Sequence, residues 1–144
     1  MTLSSGFERH WNLFADHAKA VISSPNPSDE TIQSLLNKMT QLLFGLDEPL
    51  KAQATGALDM IMGLAQCSSA EDQEVSMVAL KAVKASVVRN PVGRRDCRAA
   101  GVFEWLKQSI LIRFEYNSVV VEEGLTCLAA VCLSNDLNAL QVSA

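Results

Sequence analysis

Few side chains in this sequence stand where they could do chemistry. His10 and His17 are its two histidines, seven residues apart. On a helix that is two turns, too far for both rings to hold one ion, even with Glu8 or Asp16 imagined beside them. They read as the border of an apolar stripe. The four cysteines, Cys67, Cys97, Cys127 and Cys132, form no C-x-x-C pair, and no histidine lies near the last two. Thiols placed this way read as small buried helix residues. Adjacent acids such as Glu122 and Glu123 point to different faces of a helix and cannot share proton transfer. The sequence holds no Gly-rich phosphate loop, no G-x-S-x-G and no H-E-x-x-H. Catalysis, a resident metal and a cofactor are therefore not expected.

The other chemistry is charge. From Val75 to Arg113 the chain carries Lys81, Lys84, Arg89, Arg94, Arg95, Arg98, Lys107 and Arg113 against Asp96 and Glu104 alone. Acids dominate on either side, and the net charge is −4. A local basic face on an acidic chain can steer an acidic partner or bind phosphate. Arg94, Arg95 and Arg98 are its sharpest part, because they cluster before a helix start. The competing reading is a solvated helix face with a polar loop. The modest acidic charge and the lack of interleaved surface aromatics argue against nucleic acid.

These residues need a scaffold. With 144 residues, 49% of them hydrophobic and only 6% aromatic, the chain can build one core of helices packed through small aliphatic side chains. The longest uncharged run near its C-terminal end, 124–135, has 12 residues and is too short to span a membrane. No secretory leader or lipidation motif is visible, and unpaired thiols suit a reducing interior. The expectation is cytoplasmic, with the nucleus left open.

Apolar spacing predicts a first helix over Ser5–Ile22, with Leu3, Phe7, Trp11, Phe14, Ala18 and Val21 on one stripe. Ser23-Ser24-Pro25-Asn26-Pro27 ends it. Ser28 caps a second helix, Asp29–Phe44, whose apolar face is Ile32, Leu35, Leu36, Met39, Leu42 and Leu43. After Asp47-Glu48-Pro49 a short helix bends at Gly56 into the next one. Ser68-Ser69-Ala70-Glu71 reads as a capping box before a long helix over Asp72–Arg89. Asn90-Pro91-Val92-Gly93 breaks that helix. Helices over Val102–Arg113 and Val119–Leu133 follow, and Asn135-Asp136 starts another short one.

The elements recur. Ala54-Thr55-Gly56-Ala57-Leu58-Asp59-Met60-Ile61 returns 45 residues later as Ala99-Ala100-Gly101-Val102-Phe103-Glu104-Trp105-Leu106. The same offset aligns Val75 with Val120, Leu80 with Leu125 and Val83 with Leu128. Applied backwards, it sets Leu35 opposite Leu80. A helical period near 45 residues is the signature of an α-solenoid. The division is a single domain: 1–46 a degenerate N-terminal capping pair, 47–90 and 91–134 two repeats, and 135–144 the start of a further helix.

These residues resemble armadillo repeats, in which a short helix precedes a Gly-started second helix and a longer third. The octet from Ala99 to Leu106 resembles the second helix. Glu122-Glu123-Gly124-Leu125-Thr126-Cys127-Leu128-Ala129-Ala130-Val131 resembles the third. The match is good over 90–144, fair over 49–90 and weak over 1–46. HEAT repeats are the near alternative, and the short helix before Gly101 favours armadillo. The resemblance implies an all-α, short right-handed armadillo-like solenoid of about three repeats, with third helices lining a concave groove. Importin-type members hold basic peptides through a Trp and an Asn on that helix. Those positions fall here on Lys81 and Thr126, and on Ala85 and Ala130, so that mode is not implied. Catenin-type members hold acidic extended partners, and Lys81 and Lys84 suit that mode.

Two functions are therefore expected. One is a protein-interaction scaffold binding an acidic or phosphorylated segment through Lys81, Lys84, Arg89, Arg94, Arg95, Arg98 and Thr126. The other is a homodimer or larger assembly pairing through a C-terminal apolar face of Val119, Leu128, Leu137 and Leu140.

Overall fold

The computed structural model describes residues 2–25, 27–44, 56–67, 73–88, 96–97 and 100–132, with the side chains of 2–6 and 8 outside it. The Asp47-Glu48-Pro49 helix start, the Ser68–Glu71 capping box and the helix after Asn135 lie outside these residues.

The first element, α1 (Thr2–Ser23), extends past the stripe that predicts it. Trp11, Phe14 and Ala18 are buried, with Phe7 and Val21 half-buried on its flank. Phe7 and Trp11 stack with ring centroids 6.2 Å apart, and Phe14 tilts against Trp11 at 5.9 Å. Next, α2 (Asp29–Leu43) starts where Ser28 caps it: the Ser28 hydroxyl accepts from the Thr31 N–H at 3.1 Å. Asp29 and Glu30 add negative charge to its first turn, where the helix dipole favours it. Ile32, Leu35, Leu36, Met39 and Leu43 are buried as the spacing predicts, and Leu42 is half-buried.

From their glycines onward, the two octets fold the same way. Gly56 and Gly101 both take left-handed backbone, φ 76° and 81°, a region that side chains with a Cβ avoid. Each glycine carbonyl accepts the first helical bond, from the Met60 N–H at 3.0 Å and the Trp105 N–H at 3.1 Å. The helices that follow are α3 (Ala57–Cys67) and α5 (Val102–Trp105). Ala57, Leu58, Met60 and Ile61 are buried, as are Val102, Phe103, Trp105 and Leu106, while Asp59 and Glu104 are exposed.

One element departs from its pattern. A single α-helix is expected over Val102–Arg113, but α5 widens after Trp105 into a π-helix, Leu106–Ile112. Leu106 and Ile110 still reach the core, so the apolar spacing does not separate the two forms.

Between the octets lies α4 (Gln73–Val87), and the last described helix is α6 (Ser118–Cys132). Asn117 caps α6 by accepting from the Val120 N–H at 3.3 Å. A Cβ at Gly124 would stand 2.9 Å from Ile110 Cγ2, so α6 and the π-helix approach closely there.

The described residues are all helical, in two rows. In one, α2 packs on α4 and α4 on α6. In the other, α1 packs on α3, and α3 on α5. Contacts of α3 with α4, and of the π-helix with α6, join the rows over one core. Neighbours in the first row run parallel, as do α1 and α3 in the other. Near the starts of α2 and α4, Gln33 Nε2 donates to Glu74 Oε2 at 3.4 Å. At the starts of α4 and α6, Asn117 Nδ2 donates to Gln73 Oε1 at 2.9 Å. At the ends of α1 and α3, the Cys67 thiol donates to the Ile22 carbonyl at 3.7 Å. The last two contacts span 44 and 45 residues, the period of the sequence. No helix of the described residues is long and apolar enough to cross a membrane.

Candidate partner-binding face

The row α2–α4–α6 gathers the candidate residues that the structure describes. Helix periodicity puts Asn37, Lys81 and Thr126 at equivalent places on its three helices, and all three are exposed. The Thr126 hydroxyl donates to the Glu122 carbonyl of its own helix at 2.9 Å. Its proton is engaged there, and its lone pairs remain for a partner.

Lys84 has a different role. Its ammonium pairs with Glu123 Oε1, tying α4 to α6. The carboxylate oxygen is buried, and the ion pair is the partner that compensates it. Both side chains are half-buried, so removing one member would leave the other's charge poorly solvated and without its partner. Lys84 is thus part of the packing between neighbouring helices, and Lys81 is the exposed cation of α4. Glu122 is exposed on α6 and Lys38 on α2. Across the described residues the face is therefore mixed in charge. Arg89, Arg94, Arg95 and Arg98 lie outside the described residues.

The four cysteines form no disulfide. Cys97 and Cys127 are buried, and Cys67 and Cys132 half-buried. Burial pushes the Cys127 thiol far above its ordinary range, with the neighbouring Cys97 adding to the shift. Burial raises that of Cys132 as well. A thiol held protonated is a poor nucleophile. His10 and His17 are exposed, and no group of three or more His, Cys, Asp or Glu among the described residues could hold a metal ion. Trp11 and Trp105 are buried in the core. A cleft between α1 and the start of α3 is lined by Trp11, Asn12, Lys19, Gly56, Asp59 and Met60, with no nucleophile beside a base.

The C-terminal face is partly open. Val119 is 58% exposed, whereas Leu128 is half-buried. Leu137 and Leu140 lie outside the described residues. The structure adds Leu125, 52% exposed, which the 45-residue alignment pairs with a fully buried Leu80. Sequence spacing also misses the Lys84–Glu123 pair, because no helical period links residues 39 apart.

No family model, no curated protein and no solved structure matches this chain.

Proposed function

We propose that this chain is an armadillo-like helical-repeat module that holds a segment of another protein along the α2–α4–α6 row. The observation that carries the reading is the parallel row itself. Three helices set about 44 residues apart in sequence offer equivalent exposed positions, Asn37, Lys81 and Thr126, to one ligand crossing them. An extended segment presents side chains at regular intervals and can meet such positions in turn. Among them Lys81 supplies a positive charge, which suits an acid on the partner.

The test is calorimetric titration with an extended acidic peptide at low and high salt. Lys81→Glu reverses the exposed charge without touching the Lys84–Glu123 pair. An exposed ion pair contributes up to about 1 kcal/mol, so reversal should weaken binding roughly fivefold to tenfold. Salt should weaken the wild type as well. Affinity that ignores both salt and Lys81→Glu would reject acidic recognition on this face.

A further inference from the structure

We draw no further inference here: the strongest candidate, the cleft between α1 and the start of α3 lined by Trp11, Lys19 and Asp59, borders at Gly56 on residues 45–55, which lie outside the described residues, and nothing in the structure shows what covers it.

Discussion

The helices α2 and α6 both flank α4 in one row, but they meet their surroundings differently. The side of α2 turned from α4 carries Thr31, Ser34, Lys38 and Gln41, the last three exposed. The matching α4 positions, 44 residues on, are Val75, Val78, Ala82 and Ala85, buried or half-buried. So α2 is built to face water. On its far side α6 carries Val121, Leu125, Leu128 and Cys132, a stripe as apolar as the one that α4 buries. A helical row is finished where its outer positions turn polar. Among the described residues, then, the outer side of α2 is polar and the far side of α6 is apolar.

The largest expected effect tests this asymmetry directly. Leu80 and Leu125 are equivalent in sequence, yet one is fully buried and the other half exposed. Leu80→Ala should cost about 2–5 kcal/mol in urea unfolding, the range for a buried leucine. Leu125→Ala should stay within about 0.5 kcal/mol, as surface changes do. Similar losses at both positions would mean that α6 is covered as α4 is, and the comparison would fail.

Smaller effects sharpen it in the other row. Gly56→Ala and Gly101→Ala should each cost about 1–2 kcal/mol, through left-handed backbone alone. No atom lies within 4 Å of the Cβ that either would gain. Matching losses in thermal unfolding would confirm that the two octets are equivalent. A loss at one only would separate them.

The third effect distinguishes the covered side of α6 from its open side. Burial raises the Cys127 pKa in the folded chain, so the unfolded chain releases that proton at lower pH. Stability is then full below the ordinary thiol range, near 8.5, and falls as pH rises through it. The slope should approach about 1.4 kcal/mol per pH unit for this one thiol. Cys127→Ala should flatten the curve between pH 8 and 10 in denaturant titrations. An unchanged slope would remove Cys127 as its source. Alkylation at pH 8 should reach half-buried Cys132 well before Cys127.

Much of the fold was legible where one residue type had one physical use. Gly56 and Gly101 marked helix starts because left-handed backbone selects glycine. Ser28 marked a cap because its hydroxyl replaces a missing carbonyl. The α2 face followed from apolar spacing. The π-helix did not, because Leu106 and Ile110 are apolar in either form. Asn117 carried a readable signal, a cap type just before an apolar run, yet the start of α6 was expected one residue late. The exposure of Leu125 was not legible, since it depends on what lies beside α6 and not on α6 itself. Nor was the role of Lys84: its spacing put it on a partner-facing helix, but only the approach of α6 shows its charge paired with Glu123. Of the candidate residues the structure describes, Lys81 and Thr126 are exposed, and Lys84 is tied to Glu123.

The most direct measurement places spin labels pairwise at residues 37, 81 and 126, with Cys67 and Cys132 replaced by alanine, and reads the three distances. Packed helices stand about 8–10 Å apart. A row predicts that the 37–126 distance is close to the sum of the 37–81 and 81–126 distances, near 20 Å. A 37–126 distance no longer than the other two would mean that the three helices close into a bundle. That result would contradict the helical-repeat account.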